Sequence, residues 1–360
     1  MQDERQLILA DQNFRDIRPV MGAEIDMAIG SDENDYEIKI RRDQWDDRYK
    51  YGNVFYINDT EFGGIIGRKK INTTDSTISL FGRTWRGMLE KKIIRPPGGQ
   101  DYKKVSGELN TVLDGLITDC FGDYFVVSRS DTGIFVTDYQ FDRYCTLLAG
   151  LTKMLKSVGH RLQIRYVQQE RGQPGYVELS AVPIEDYSEK IELSQDSRLN
   201  FTFDENKNGI NHLICLGKGE LQDRQVIDLY VQEDGSIGRD LFYTGIREVC
   251  GVYENTSAER DELEEKGREK LAKLMNRTIF EMNVEQLKMN VEIGDIIGGR
   301  DYDTGMYAAK PIAKKIYRVA GGKTSLEYKV EGDVSVEMLT SCFEGDADDV
   351  EVTAMVHKFT

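Results

Sequence analysis

The residues that usually do chemistry are few in this chain, and their spacing does not suit catalysis. There are three histidines (His160, His212, His357) and five cysteines (Cys120, Cys145, Cys215, Cys250, Cys342). The cysteines are scattered and form no C-x-x-C pair, so neither a disulfide framework nor a zinc site is encoded. His212 and Cys215 offer a base and a thiol, but an i, i+3 spacing in a strand places them on opposite faces. Asp204-Glu205-Asn206-Lys207-Asn208-Gly209 matches the first six positions of a calcium loop, where alternate oxygens and a sharp glycine turn wrap a hard cation. Its twelfth position is Cys215 instead of a bidentate glutamate, which leaves an Asn-Gly turn between strands. Asp301-Tyr302-Asp303-Thr304-Gly305 has Met306 where that glycine should stand and Ile312 where the closing carboxylate should stand. Gly217-Lys218-Gly219-Glu220 lacks the Ser or Thr that follows a phosphate-loop lysine, and reads as a turn. Asp348-Asp349 and Glu264-Glu265 lie in an acidic tail and on the wet face of a helix. The expectation is a protein that is not an enzyme, with no catalytic, cofactor or metal site.

The elements that would position any site are mostly strands. Glu37 to Arg41 alternates with period two, Val54 to Ile57 is a short apolar run, and Gly63 to Ile71 turns through Asn72-Thr73-Thr74-Asp75 into Ser76 to Phe81 as a hairpin. Gly82 to Ile94 follows, closed by Pro96-Pro97-Gly98-Gly99, the clearest domain boundary in the chain. Next, Ser106 can cap a helix bearing Leu109, Val112, Leu113, Leu116, Ile117 and Cys120, and a second stripe runs from Phe141 to Val158 and stops at Gly159. Strands are expected at Tyr124 to Val127, Leu162 to Val167 and Tyr176 to Val182. Further strands read at Lys190 to Leu193, Leu199 to Phe203, His212 to Leu216 and Gln225 to Tyr230. A helix from Ser257 to Met275 carries a Thr256/Glu259 capping box and one packing face, Leu263, Gly267, Leu271 and Leu274. Runs at Gly294 to Gly298, Lys310 to Val319 and Thr324 to Val330, broken at Asp303-Thr304-Gly305 and Gly321-Gly322, read as a small β-barrel or meander.

At 360 residues the chain has room for two to four compact units. Its formal net charge of -16 argues against a sequence reader of DNA, which needs a basic face. The charge reads first as an ordinary solvated acidic surface; the alternative is a conduit that DNA slides through without sticking, with Asp32 to Asp35, Asp43 to Asp47 and Asp301 to Asp303 as candidate lining stretches. No apolar run of about 18 residues exists to cross a bilayer, and MQDERQLILADQNFRD lacks signal-peptide order, so a soluble protein made in the cytoplasm is expected.

Several segments, in order, resemble the tail-tip or baseplate hub proteins of phages and phage-like particles, in particular those of Gram-positive hosts. They are Gly64-Ile65-Ile66-Gly67-Arg68-Lys69-Lys70-Ile71, Ile78-Ser79-Leu80-Phe81-Gly82-Arg83, Gly87 to Ile94, Asn211 to Glu220, Gly245-Ile246-Arg247-Glu248 and Ile293-Gly294-Asp295-Ile296-Ile297. In such proteins the glycine of the Gly-Asp pair bends the backbone where a strand enters, and the aspartate is a turn-side acceptor. The expectation is a chain that stops soon after this region, lacking the long peptidase, lysin or fibre extension that many such proteins carry.

The resemblance implies an α+β, mainly β fold with two tube-type β-barrel domains. Residues 1–95 would form the first barrel, 96–188 an inserted α+β domain, and 189–230 with 277–332 the second barrel. Residues 231–276 would be a smaller helix-containing insertion and 333–360 an acidic C-terminal extension. It further implies a homotrimeric structural hub in the virion tail of a phage or contractile injection system, assembled in the host bacterial cytoplasm. Such a hub joins a six-fold tail tube or distal tail protein to a spike or fibre, and forms part of the DNA or effector channel. The rival readings are a tail-associated cell-wall hydrolase, for which the chain offers poor Cys/His, zinc or Glu material, and a carbohydrate-binding receptor module. The latter needs an exposed aromatic platform, and Trp45 and Trp85 are too far apart to make one.

Overall fold

The computed structural model describes residues 6–168, 172–188, 192–193, 199–206, 208–275, 277–285, 291–300 and 307–330. In chain order, the first segment contributes β1 (Leu7–Ala10), β2 (Asp16–Pro19), β3 (Glu24–Gly30), β4 (Asp35–Arg41), β5 (Val54–Ile57), β6 (Gly63–Asn72), β7 (Thr77–Thr84) and α1 (Trp85–Glu90). The middle contributes β8 (Lys104–Glu108), α2 (Leu109–Phe121), β9 (Phe125–Val127), β10 (Phe135–Gln140), α3 (Leu147–Lys156), β11 (His160–Val167) and β12 (Tyr176–Pro183). Then come β13 (Glu192–Leu193), β14 (Leu199–Asn206), β15 (His212–Leu216), β16 (Val226–Val231), β17 (Ile237–Gly238), β18 (Cys250–Glu254) and α4 (Arg260–Leu274). The chain finishes with β19 (Arg277–Glu285), β20 (Ile296–Arg300), β21 (Tyr307–Ala320) and β22 (Lys323–Val330). The fold is thus mainly β with a few helices. Among the described residues no helix is long and apolar enough to cross a membrane.

Two compact units result, the first from Met1–Phe201 and Met282–Glu331, the second centred on Thr202–Glu281. In the first unit the strands pair in the order β22-β21-β3-β4-β7-β6-β5-β1-β2, an order that stays open and closes no barrel among the described residues. Period-two alternation along β3, β4 and β7 sends Ile25, Met27, Tyr36, Ile38, Ile40, Ile78 and Leu80 into a core shared with Leu7, Leu9, Phe55 and Phe62. Tyr36 fits between β6 and β7 because Gly64 and Gly82 lack side chains. A Cβ on Gly82 would stand 1.8 Å from the Ile65 carbonyl and 2.7 Å from the Tyr36 hydroxyl.

A second core in this unit packs α2 and α3 against the β11-β12-β9 sheet and also takes in Val54, Tyr56, Trp85 and Leu89. Residues 96–99 are an exposed Pro-Pro-Gly-Gly turn, but apolar packing crosses that point. The punctuation therefore marks a bend in the chain while one core continues on both sides. Two caps also differ from expectation. Glu108, not Ser106, starts α2, its carboxylate accepting from the Thr111 amide at 2.8 Å, while Ser106 accepts from the Asp138 amide across β8 and β10. At α4 the N-cap is Glu259 without a side-chain cap bond, because its carboxylate reaches Lys218 at 2.8 Å.

The second unit is a four-stranded sheet, β17-β16-β15-β18, under α4. Leu213, Cys215, Ile227 and Leu229 meet Leu263 and Leu271 in its core, and Gly267 lets the helix approach so closely that a Cβ there would lie 2.6 Å from Cys215 Sγ. The grouping differs here from the one expected. β15 and β16 pair with β18 and β17, whereas β21 pairs with β3 of the first segment. Alternation identifies a strand but carries no label for its partner.

A buried ion pair ties α1 to the turn before β6 in the first unit. Arg86 on α1 makes a two-pronged contact with Glu61, Nε to Oε1 at 2.6 Å and Nη2 to Oε2 at 2.9 Å, with side-chain exposures of 5% and 4%. Arg86 also donates to the Leu162 carbonyl on β11. Replacing Glu61 by Ala strands the guanidinium away from water, so urea unfolding of E61A is expected to show a loss of about 3–5 kcal/mol, and E61L/R86M a smaller one. A loss below about 1 kcal/mol for E61A, the range of an exposed pair, would overturn this account.

Candidate functional site

The same alternation that fills the first core puts a charged ladder on the opposite face of the sheet. Across the strands, Arg318 on β21 stands opposite Asp26 on β3, Asp26 opposite Glu37 on β4, Glu37 opposite Phe81 on β7, and Phe81 opposite Arg68 on β6. Arg318 reaches Asp26 at 3.2 Å and Glu327 at 2.5 Å, and the Arg68 guanidinium lies 4.7 Å from the centre of the Phe81 ring. A parallel row runs Glu24, Lys39, Ser79 and Lys70. Asp26 and Glu37 are like charges directly opposed, an arrangement that costs stability.

This face opens into a groove of about 840 Å³, along whose walls carboxylates outnumber cationic groups by six to three. Asp35 sits in it with its carboxyl raised above the ordinary value of 3.8, by burial first and then by Glu33, with Arg83 opposing and Asp26 and Glu90 adding. The sequence-marked acidic stretches fall in different settings. Asp32 and Glu33 each hold Lys314 Nζ at 3.0 Å. Asp46 is engaged by Arg48 and Arg18, and hydrogen bonds from Arg48 hold its carboxyl well below the usual range. Asp301 to Asp303 lie outside the described residues, as do Cys342, His357 and Asp348-Asp349, and the side chains of Asp204 to Lys207.

The other sequence-marked groups separate. Cys215 is buried, and burial pushes its thiol to about 12, while His212 is on the opposite face of β15, as strand geometry requires. His160 is buried with Nδ1 at 2.8 Å from the Val158 carbonyl. Trp85 is fully buried in the core. Glu264 is clamped by Arg239 and Arg268, in that order of effect, which hold its carboxyl at about 2. Gly294-Asp295 behaves as the motif requires. Gly294 has φ +96, and Asp295 accepts from the Glu292 amide at 2.9 Å and from Arg161 Nε at 2.6 Å. Sequence reading missed that His212 gathers Asp228, Glu248 and Cys250 around its ring. The available signal was Glu248 and Cys250 at i, i+2, which share a face in extended chain.

No family model matches the sequence and no curated protein matches it. Among solved structures, the 43 kDa tail protein of prophage MuSo2 from Shewanella oneidensis matches with a TM-score of 0.50 at 14% identity, covering 90% of this chain and 98% of that one. The chain has the fold of phage tail proteins. The tail protein from Neisseria meningitidis MC58 matches with a TM-score of 0.49 at 14% identity, over 91% of this chain and 96% of that one. Prophage tail protein gp18 from Listeria monocytogenes EGD-e matches with a TM-score of 0.45 at 12% identity, over 94% and 98%.

The raised Asp35 carboxyl in the groove bears on stability through its protonation. A carboxyl raised in the folded state favours folding below its ordinary value of 3.8 and loses that contribution as pH rises through the raised value. At neutral pH, ionised Asp35 therefore opposes folding. D35N is expected to raise stability at pH 7 by under about 1 kcal/mol, discounted for its exposure, with the gain shrinking below pH 4 and in high salt. Urea unfolding at two pH values and two salt concentrations checks it, and a destabilised D35N at pH 7 would be the contrary result.

Proposed function

We propose that this chain is a structural hub of a phage or phage-like tail, a homotrimer that joins a six-fold tail tube to a central spike or fibre. The observation that carries this reading is the pairing of β21 with β3, which makes one sheet of β1–β7 and β20–β22, apolar on one side and charged on the other. In this reading β1–β7 and β20–β22 with their neighbours are two tube-like parts of one protomer, so three protomers present six similar parts to the tube. The charged face then looks into the channel, where its carboxylates keep DNA or effector from adhering within about 8 Å of the wall at physiological salt. The likeness to the MuSo2 tail protein supports the tail setting. The protein acts mechanically and not as an enzyme, and its partners are its own copies, the tube or distal tail protein, and the spike or fibre. Its place is the virion tail, after assembly in the host bacterial cytoplasm. The inserted α+β part decorates the outside of the ring in this reading.

Light scattering of the purified chain and its placement in a particle map test the proposal, with three chains per ring expected. A monomer in solution agrees with it if the particle shows three, since association can require the tube as template. A ring of six chains in the particle, or one copy, overturns it.

A further inference from the structure

The second unit holds a group of side chains for which the tail reading has no use. Parallel register places Cys250 on β18 beside His212 on β15, and alternation turns both, with Asp228 on β16, away from the Leu213 and Cys215 core. Glu248 Oε1 lies 2.7 Å from His212 Nδ1, and Cys250 Sγ lies 3.3 Å from the same nitrogen. The three donor atoms are all within 4.8 Å of one another.

We propose that His212 Nδ1, Glu248 Oε1 and Cys250 Sγ form a binding site for a divalent transition-metal ion, zinc by preference, with a fourth position open to water. Tetrahedral zinc holds nitrogen, oxygen and sulfur at about 2.0–2.3 Å, so its donors stand roughly 3.3–3.6 Å apart. The nitrogen-sulfur spacing already meets this, and the nitrogen-oxygen spacing needs to open by about half an ångström, within reach of a glutamate rotamer adjustment.

The surroundings prepare the site. Asp228 Oδ1 stands 2.9 Å from His212 Nε2, the carboxylate-imidazole arrangement that keeps the proton on Nε2 and the Nδ1 lone pair free for metal. Tyr230 stacks on the imidazole with ring centres 4.3 Å apart. Asn211, itself buried, accepts from the Val249 amide at 2.9 Å and donates to the Arg247 carbonyl at 2.7 Å, which fixes the backbone carrying Glu248 and Cys250. Cys250 is exposed, so an ion has an entry path. A thiolate and an imidazole favour zinc over magnesium or calcium. On binding, the sulfur-hydrogen bond of Cys250 is exchanged for a sulfur-metal bond, and the proton passes to solvent.

The test is a Co²⁺ titration of the reduced, metal-free full chain followed by absorption. Saturation at one equivalent with a thiolate-to-cobalt charge-transfer band, displaced by Zn²⁺, is expected. C250S should abolish the band and weaken binding at least tenfold, C120S should leave both unchanged, and D228N should keep the band while weakening binding about 10–100-fold. Circular dichroism confirms that each variant folds. Absence of saturable cobalt absorption, which would leave the cluster as a histidine hydrogen-bonded between carboxylates, overturns the proposal, as does a band that persists in C250S.

Discussion

The rest of the first unit depends on the pairing of β21 with β3. It sets Lys314 opposite Gly30 and Val319 opposite Ile25, joining residues nearly the whole chain apart. Closing a loop of that length in a flexible chain costs on the order of 5 kcal/mol by the logarithmic rule, less where folded units shorten the path. The return comes from side chains as much as from the ladder. Tyr317 enters the β3–β7 core and packs on Phe62 with ring centres 5.2 Å apart. Lys315 is buried, paired to Glu292 at 2.7 Å and placed over the Phe62 and Tyr328 rings. A sheet joined by so distant a contact belongs to the slow-folding end of the range, since no local element can form it early.

Given that pairing, the polar ladder follows from the pleat. Once Met27, Ile38 and Leu80 face the core, Asp26, Glu37 and Phe81 face away, and β21 delivers Arg318 to the end of the row. A one-residue slip in β21 would bury Arg318 and expose Tyr317, so the core fixes the register and the register fixes the charges. The Asp26–Glu37 opposition and the raised Asp35 are then consequences of where the strands must lie. They oppose folding of the isolated chain, so the acidic face is not explained by stability.

Much of the strand content could be read from the sequence, because two-residue alternation survives as a local signal. Val54 to Ile57 and His212 to Leu216 were read with the bounds the structure gives them, and the α4 packing face of Leu263, Gly267 and Leu271 was legible at helical spacing. Caps were less legible, since a side chain within reach of a helix end can be taken by another partner, as Ser106 is by Asp138 and Glu259 by Lys218. Strand partners were legible only across tight turns, as for β6 with β7 and β21 with β22. The assignment of β15 and β16 to β17 and β18 depends on surfaces brought together from across the chain. For the same reason the His212 group was hidden, with Glu248 and Cys250 remote from His212 in sequence and adjacent only through the parallel register of β15 and β18.

The buried charges of the first unit share a pattern that bears on its acidic balance. Arg86 with Glu61, Arg161 with Asp295, and Lys315 with Glu292 each join segments distant in sequence, and the first two tie β11 of the middle region to the large sheet or to the turn before β20. Pairs of this kind give little net stability over an apolar replacement, but they penalise any docking in which one partner is left alone. Their effect is therefore on orientation: the helical insertion is held in one pose against the strands. Each of these carboxylates, Glu61 and Asp295 buried and Glu292 partly so, is matched by a cation, so they contribute nothing to the excess of -16. Part of that excess lies instead along the open groove of the sheet, where carboxylates outnumber their partners. Matched charges inside and a surplus along one sheet face thus separate the two roles of charge in this unit, orientation within and repulsion of like charge at the surface.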